Sequence, residues 1–353
     1  MRWFALLVGG CAVLLASVAV AVSGGATQAE ARWVITDLGT LGRGDFFTYQ
    51  GFSLASGIND RGQIVGWSWQ NEDEKWAGSG HAFFWQNGEM RDLGALLGLP
   101  NSRARDINNR GQIVGESFTF PAFGGPETFD RAKSRAVIWE NGRMRILAGA
   151  RAQARSVNER GEVVGWVGGI DSEQPALWQK GAMRKLGRVG KGSSLAVDVN
   201  ERGQVVGVSG SWNYAEFDLM EVRGFVWESG TIRDLGKLGD WNWLKAINDK
   251  GSIVGGRNDH ATVWENGVPR RLEGTRGESE AHDINERSQI VGRWKNRAAL
   301  WENGKLTLLP GLPGGRDEGE AWGINERGQI VGWATTKSID YSHAVLWTLR
   351  RDS

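Results

Sequence analysis

Short apolar runs alternate with polar, glycine-containing turns along nearly the whole chain after residue 32. One phrase, Ile/Val-Asn followed by a turn and then an apolar pair and Gly, recurs seven times, starting at Ile58, Ile107, Val157, Val199, Ile247, Ile284 and Ile324. A second phrase ends in a tryptophan and alternates with the first: Trp85, Trp139, Trp178, Trp227, Trp264, Trp301 and Trp347. Runs this short, separated by turns this frequent, predict β-strands and leave no room for amphipathic helices.

Each repeat predicts four strands. In the first copy, residues 55–59 and 63–67 form one hairpin, and residues 81–85 and 89–93 form the next. Glycine follows polar residues in both intervening turns, which suits tight hairpin connections. A period of roughly 40–50 residues with four antiparallel strands per repeat is typical of a β-propeller blade.

The two ends of the repeat array complement each other. Residues 33–39 match the fourth strand of a repeat, whereas residues 343–347 form a third strand with no fourth strand after it. Pairing the N-terminal strand with the C-terminal blade would remove two sheet edges. We therefore predict an all-β, seven-bladed β-propeller with four antiparallel strands per blade, closed by this pairing.

The repeated residues have structural interpretations. We expect each repeated Asn to bond backbone groups of the turn that follows it, and each Gly after the apolar pair to permit a close backbone approach or a bulge. We expect the repeated tryptophans to be buried between blades. Ser288 replaces the turn glycine of the sixth copy, so that turn should be slightly strained.

The first 31 residues stand outside the repeats. Arg2 precedes an uncharged run over residues 3–22, and small residues follow, as in a secretory signal peptide. The run is also long enough to remain as an uncleaved membrane anchor. We predict a single propeller domain over residues 32–353, secreted and extracellular, with a membrane-anchored location outside the cytoplasm as the alternative. Cys11 is the one cysteine, so the domain has no disulfide.

Charge and motif content exclude several classes of function. Lys plus Arg number 42 against 41 Asp plus Glu, so no net field favours nucleic acid or an acidic membrane. The four histidines show no metal-ligand spacing, and no serine lies in a nucleophile elbow. We expect no cofactor, no metal and no nucleic-acid partner, membrane contact only through an uncleaved N-terminal segment, and a monomer.

His81-Ala82-Phe83 precedes Trp85, and together with the Asn-x-x-Gly-x-Ile-Val-Gly phrase it resembles the HAF-repeat family of extracellular bacterial proteins. The resemblance covers residues 33–347. It implies export, but it implies no particular chemistry. The His-Ala start with an apolar third residue occurs only at His81 and His343, so the histidine is not a repeated ligand.

The loops between the second and third strands, and between one repeat and the next, vary in length and should share one face of the disc. Binding residues concentrate on variable loops over a rigid scaffold. The aromatic residues of these loops form our predicted ligand-binding set: Phe46, Tyr49, Trp69, Trp76, Trp212, Tyr214, Trp241, Trp243 and Tyr341. Aromatic rings of this kind stack on sugars or apolar groups. The alternative is that the loops fold down and bury these rings.

The leading hypothesis is a secreted, non-catalytic binding propeller whose partner is a small molecule or glycan, with a carbohydrate or cell-surface polymer favoured, or else a protein. A second hypothesis is a glycoside-cleaving or cyclising enzyme with Asp45, Asp218 and Asp240 as acid and base on the same face. A third is a structural or protein-docking scaffold of the cell envelope.

Overall fold

The chain forms seven four-stranded antiparallel sheets, and the first strands of neighbouring sheets contact one another in a ring around a central axis. The computed structural model describes residues 31–42, 51–70, 79–119, 133–169, 172–190, 192–213, 218–239, 242–274, 276–337 and 341–351. These residues contain no α-helix. Within the same ranges, no helical segment has the length and apolar character needed to traverse a bilayer. The predicted seven-bladed β-propeller is confirmed.

The first four blades each consist of consecutive strands, numbered outwards from the axis. Blade 1 comprises β2 (Ser53–Ile58), β3 (Ile64–Gln70), β4 (Ser79–Gln86) and β5 (Glu89–Asp92). Blade 2 comprises β6 (Asn101–Ile107), β7 (Ile113–Phe118), β8 (Arg135–Glu140) and β9 (Arg143–Ile146). Blade 3 comprises β10 (Ala152–Val157), β11 (Val163–Val167), β12 (Gln174–Gln179) and β13 (Ala182–Lys185). Blade 4 comprises β14 (Ser193–Val199), β15 (Val205–Asn213), β16 (Asp218–Glu228) and β17 (Thr231–Lys237).

The remaining blades follow the same order, except that the last takes its outer strand from the other end of the chain. Blade 5 comprises β18 (Leu244–Ile247), β19 (Ile253–Arg257), β20 (His260–Glu265) and β21 (Val268–Arg271). Blade 6 comprises β22 (Ser279–Ile284), β23 (Ile290–Trp294), β24 (Arg297–Glu302) and β25 (Lys305–Leu308). Blade 7 comprises β26 (Gly319–Ile324), β27 (Ile330–Thr335), β28 (Ser342–Arg351) and β1 (Ala31–Gly39).

Pairing of β1 with β28 closes the ring. The antiparallel register runs from Ala31↔Arg351 to Gly39↔Ala344. His343 Nδ1 lies 2.9 Å from the carboxylate of Asp37 and ties the two strands together near this end. The predicted closure through the N-terminal strand is confirmed.

The repeated tryptophans lie between blades, as predicted. All except the half-buried Trp85 are at most 5% exposed. Trp139 Nε1 donates to the carbonyl oxygen of Leu93 in the preceding blade at 3.0 Å, and Trp347 Nε1 donates to Pro310 at 2.8 Å. Burying an indole removes about 150–250 Å² from water, which stabilises each blade contact by about 4–6 kcal/mol at the upper end.

The repeated asparagines link all seven blades in a closed cycle. Asn59 Oδ1 accepts from the backbone N–H groups of Arg61 and Gln63, each at 3.0 Å, which confirms the predicted turn contact. Its Nδ2 also donates to the backbone oxygen of Asn108 in the next blade at 2.9 Å. The same link repeats from blade to blade until Asn325 donates to Asn59 at 2.9 Å. The sequence did not predict this second contact.

A second cycle runs beside the first, through the residue that follows each Asn. The backbone N–H of Asp60 donates to Asn109 Oδ1 of the next blade at 2.8 Å, and Glu326 closes the cycle by donating to Asp60 Oδ1 at 2.8 Å. Carboxylate oxygens accept in the other links of this cycle. The two cycles define the turn face of the disc, which carries the turns between first and second strands. The opposite side, with the longer connections, is the loop face.

Ser288 sits in the left-handed region with φ 61°, the conformation that glycine adopts in the corresponding turns at Gly62 and Gly328. A side chain in this conformation is disfavoured. The predicted strain at this turn is confirmed.

Candidate functional site

Every innermost strand carries one extra residue, and this residue lines the axis. In each of the seven blades the register between the first and second strands shifts by one position after a small or apolar residue. We call the skipped residues the axial ring: Ser56, Arg105, Arg155, Val197, Lys245, His282 and Trp322. Neighbouring members contact one another or the adjacent innermost strand. The ring centres of His282 and Trp322 lie 5.5 Å apart, and Ser56 Oγ donates to the carbonyl oxygen of Ala104 at 2.8 Å.

The wall of the axis formed by blades 5 and 6 is charge-balanced. Lys245 Nζ lies 2.9 Å from Glu280 Oε1, and His282 Nε2 lies 3.3 Å from Glu280 Oε2. His282 Nδ1 lies 3.1 Å from the carbonyl oxygen of Ala321, so both ring nitrogens lie near oxygen atoms. Burial raises the pKa of Glu280, but Lys245 and His282 outweigh it and hold that pKa well below its usual range.

Blade 7 continues this balanced wall. Arg293 Nε lies 3.0 Å from Glu320 Oε1, and Trp322 Nε1 donates to Glu320 Oε2 at 2.9 Å. Both oxygens of this carboxylate are therefore engaged. The two carboxylates Glu280 and Glu320 together face the two permanent cations Lys245 and Arg293.

The wall formed by blades 2 and 3 places several arginines around Glu116. Arg105 Nη2 lies 2.9 Å from Glu116 Oε1. Burial raises the pKa of Glu116, but the positive charges of Arg105, Arg103 and Arg155 lower it by more. The pKa of Glu116 is therefore below its usual value. One carboxylate therefore lies within the electrostatic reach of three guanidinium groups.

Arg103 lies close to two aromatic rings. Its guanidinium carbon is 5.2 Å from the ring centre of Trp67 and 5.6 Å from that of Phe118. Burial and the neighbouring Arg105 charge lower the pKa of Arg103 to about 10, against the opposing effect of Glu116. Arg103 therefore remains a cation at neutral pH, stabilised by the faces of the two rings.

Three aspartates lie directly after the axial ring and join adjacent blades. Asp283 Oδ2 accepts from the backbone N–H of Ile324 in the next blade at 2.8 Å. Asp198 Oδ2 accepts from Ile247 in the same way at 2.7 Å. Burial raises the pKa of Asp198 to about 6 and that of Asp283 to about 7.

One hydroxyl bridges two of these aspartates. Ser156 Oγ lies 3.0 Å from Asp106 Oδ2 and 2.6 Å from Asp198 Oδ1. A hydroxyl donates a single hydrogen, so both contacts are hydrogen bonds only when one of the two carboxyl groups carries a proton. The geometry thus agrees with the raised pKa of Asp198, and burial also raises the pKa of Asp106.

This arrangement predicts that the protein becomes more stable as the pH falls from 8 to 5. Because the folded-state pKa values of Asp198 and Asp283 are raised to about 6 and 7, the folded chain binds protons in this window that the unfolded chain does not. We expect the free energy of unfolding to rise by about 1–3 kcal/mol, measured by urea denaturation at each pH. Below about pH 4.5 the trend should reverse, since carboxylates with lowered pKa values, such as Glu280, lose their partners.

The Asp283→Asn variant serves as the control, because it removes a group whose pKa burial raises to about 7. The asparagine amide has one oxygen, so it cannot accept hydrogen bonds from the backbone N–H groups of Ile284 and Ile324 in the way that the two carboxylate oxygens do. The variant should therefore be less stable than the wild type at every pH. Its slope between pH 8 and 5 should nevertheless be visibly flatter than that of the wild type. A wild-type stability that stays level or falls over this interval would contradict the prediction.

Three members of the predicted aromatic set have described side chains, and all three are half-buried. The ring of Trp69 lies 5.2 Å from that of Trp67, and Tyr341 packs against Gly51. Trp243 packs against the core of blades 4 and 5, with Lys245 Nζ 6.0 Å from its ring centre. Trp69 and Tyr341 both lie on the loop face, but Trp69 packs on Trp67 beside Arg103 of blade 2, whereas Tyr341 covers Gly51. Trp243 lies beside the axis.

The other predicted residues cannot be placed in the same way. Trp212 belongs to β15 and Asp218 to β16, but their side chains are outside the description. The rest lie outside the described residues altogether: Phe46, Tyr49, Trp76, Tyr214, Trp241, Asp45 and Asp240.

Sequence reasoning missed the charged axis. The signal for it is the residue directly after the small or apolar residue in each innermost strand, as in Ala104-Arg105 and Ala281-His282. This position varies in chemistry inside an otherwise constant frame, which is how a binding position on a rigid scaffold behaves.

Comparisons with known proteins identify the fold. No family model matches the sequence, and no curated protein matches it. Among solved structures, the acylaminoacyl peptidase of Pyrococcus horikoshii is similar with a TM-score of 0.53 and 11% identity, over 86% of this chain and 53% of the peptidase. The chain therefore spans about half the length of that enzyme.

A second similar structure is the β-propeller domain of the Trilobed protease from Pyrococcus furiosus, which has an open velcro topology. The TM-score is 0.53 at 11% identity, and the match covers 85% of this chain and 97% of that domain. At this identity the likeness shows the propeller fold alone. Unlike a propeller with open velcro topology, this chain joins its ends through β1 and β28.

Proposed function

We propose that the protein is an exported, non-catalytic binding propeller that holds a carbohydrate or cell-surface polymer on its loop face. The observation that carries this proposal is a set of aromatic side chains on the loop face of blade 1, with Tyr341 of blade 7 beside them. We call it the rim patch: Gly51, Phe52, Trp67, Trp69 and Tyr341. Export follows from the signal-peptide pattern of the N-terminal segment, of which residues 1–30 lie outside the described residues.

Three rings of the rim patch pack against one another, and Tyr341 packs on Gly51 next to Phe52. The rings of Phe52 and Trp67 lie 5.4 Å apart at 64°, and those of Trp67 and Trp69 lie 5.2 Å apart at 57°. The Cβ position of Gly51 would lie 2.9 Å from Cδ1 of Tyr341, so the tyrosine ring covers this glycine. Trp67 is buried, whereas Phe52, Trp69 and Tyr341 are half-buried. The patch therefore combines a fixed base with ring surface that still faces solvent.

Such a surface suits a sugar. The apolar face of a pyranose stacks on an aromatic ring, and polar groups around it fix the orientation. The backbone of the patch is held firmly, because Trp69 N–H donates to the Phe52 oxygen at 3.0 Å and Leu41 N–H donates to Ser68 Oγ at 3.0 Å. A rigid platform loses little conformational entropy when a ligand binds.

The test is a glycan array followed by titration of the best ligand against single variants. Trp69→Ala and Tyr341→Ala should each weaken binding at least about tenfold, as expected for aromatic anchors. Trp294→Ala is the matched control, since Trp294 is also half-buried but belongs to blade 6. It should bind like the wild type.

Two results would overturn the proposal. The first is binding that survives when Trp69, Trp212, Trp241 and Trp243 are all replaced by Ala. The second is a titration in which Trp294→Ala weakens binding as much as Trp69→Ala does, since the rim patch would then have no special role.

A further inference from the structure

The loop-face end of the axis carries a network of charged side chains from blades 5, 6 and 7. Lys245 Nζ lies 2.9 Å from Glu280 Oε1, across the boundary between blades 5 and 6. Arg293 Nε lies 3.0 Å from Glu320 Oε1, across the next boundary. We call these four residues, together with Trp322, the axial network. Glu280 pairs in register with Arg293, the last residue but one of β23, which places the network at the loop-face end of the innermost strands.

The axial network is accessible to solvent, although it lies at the centre of the ring. The side chain of Lys245 is 33% exposed, and those of Glu280 and Glu320 are each 21% exposed. In blades 5 and 6 the second and third strands are joined by two residues each, 258–259 and 295–296, whereas the corresponding connections are longer in the other five blades. Blades 5 and 6 therefore add the least chain to the loop face beside the network.

Each ion of the network already faces an ion of opposite charge, which selects against a charged ligand. A charged group would have to displace one member of the Lys245–Glu280 pair or of the Arg293–Glu320 pair, and separating a partly buried ion pair is costly. A hydroxyl group can instead join a pair, because each carboxylate oxygen accepts two hydrogen bonds and an ammonium group has three donors. Alternating donors and acceptors of this kind match the neighbouring hydroxyl groups of a sugar.

Trp322 supplies an apolar surface beside the carboxylates. Its Nε1 donates to Glu320 Oε2 at 2.9 Å, and its ring centre lies 5.5 Å from that of His282 at an angle of 64°. These contacts hold the indole in one orientation, and the side chain is half-buried rather than buried. The next member of the axial ring is Ser56, the smallest of the seven. Trp322 can therefore stack on the apolar face of a pyranose whose hydroxyl groups reach the carboxylates.

We propose that the axial network binds one uncharged hexopyranose unit of the glycan, with its hydroxyl groups on Glu280 and Glu320 and its apolar face on Trp322. The proposal rests on the proposed function and narrows its ligand class to neutral glycans. The rim patch, on the same face of the disc, holds other units of the chain.

The experiment extends the glycan array so that each neutral hexose oligosaccharide, such as the cello-, malto- and manno-tetraoses, is also present as its C6-oxidised uronic acid and its 6-amino-6-deoxy form. The wild type should bind a neutral form at least about tenfold more tightly than either charged form, the factor expected when a hydrogen bond to a charged group is lost. Glu320→Gln leaves Arg293 without its carboxylate, so the preference should move towards the uronic acid. Lys245→Gln leaves Glu280 without its nearest cation, so the preference should move towards the amino form. A merely structural defect would not shift the two variants in opposite directions.

Glu89→Gln is the matched control. It removes a paired carboxylate from the opposite face, because Glu89 Oε2 lies 2.7 Å from Arg91 Nη2 at the start of β5. The control should keep the full preference for the neutral forms. Thermal unfolding shows whether each variant is folded, and if Glu320→Gln is not, Glu280→Gln takes its place with the same expected shift towards the uronic acid.

The outcomes separate this inference from the proposed function. If the wild type binds a charged form as tightly as the neutral one, or if the preference is unchanged in both Glu320→Gln and Lys245→Gln, the axial site is wrong while carbohydrate binding stands. If those two variants shift as expected but Trp69→Ala binds like the wild type, the axial site stands and the rim patch has no role. If no member of the array binds, both proposals fail.

Discussion

A chain that starts at residue 40 is expected to lose its cooperative unfolding transition, because it lacks the outer strand of blade 7. β1 pairs with β28 from Ala31↔Arg351 to Gly39↔Ala344. It also buries Leu38, which is 6% exposed, and packs Trp33 and Ile35 against the core of the last blade. Burial of three such side chains is worth about 5 kcal/mol or more, comparable to the whole stability of many domains. Circular dichroism during heating measures the loss.

Removing β1 also leaves β28 as an unpaired edge, so the truncated chain should aggregate. A synthetic peptide with the sequence of residues 31–40, added in excess, should restore the transition by adding back the missing strand. A peptide of the same composition in scrambled order is the control and should have no effect. A truncated chain that melts at the wild-type temperature without the peptide would show that closure contributes little.

Replacing Gly165 by Ala is expected to destabilise the protein by about 4 kcal/mol or more. The Cβ of an alanine at this position would lie 1.9 Å from the backbone oxygen of Gln153, closer than any real contact. The oxygen belongs to the innermost strand and is fixed by the register shift after Ala154. Because neither backbone can move without breaking the bulge, the strain cannot be relieved by rotating a side chain. Urea denaturation of the variant gives the free energy directly.

Gly149→Ala provides the comparison. No atom lies within 4 Å of the Cβ position at Gly149, so the substitution should change stability by less than about 0.5 kcal/mol. The difference between the two alanine variants therefore isolates the close approach from the general effect of replacing glycine. If both variants were equally stable, the repeated glycine would not be explained by the bulge.

The sequence was sufficient to predict the fold because the signal was repeated. The strand-bounding turns, the tryptophan anchors and the match between residues 33–39 and the outer strand recur in register, and each recurrence supports the same blade. The contact made by each Asn with its own turn could be predicted, since it depends only on neighbours in the chain. The contact with the following blade could not, because it depends on how two blades are placed relative to each other.

The charged axis was hidden for a related reason. An extra residue in a strand changes which side chains face a given side, and sequence alternation alone does not reveal where it occurs. Arg105 and His282 therefore read as ordinary strand residues, although the bulge directs them towards the axis. The loop aromatics were easier to recognise, and Trp69 and Tyr341 both lie on the loop face, where Trp69 packs on Trp67 and Tyr341 packs on Gly51. The sequence contains no direct measure of those contacts.

The asparagine cycle has no first or last member. Every amide donates to the blade ahead and every backbone oxygen accepts from the blade behind, including the step from Asn325 back to Asn59. The hydrogen bonds of this cycle therefore do not depend on which two blades the chain termini lie between. A circular permutant that joins the present ends and opens the chain between two other blades would therefore keep every link of the cycle. Removal of one whole repeat would instead leave one amide donor and one backbone acceptor without partners, unless the ring closed with six blades.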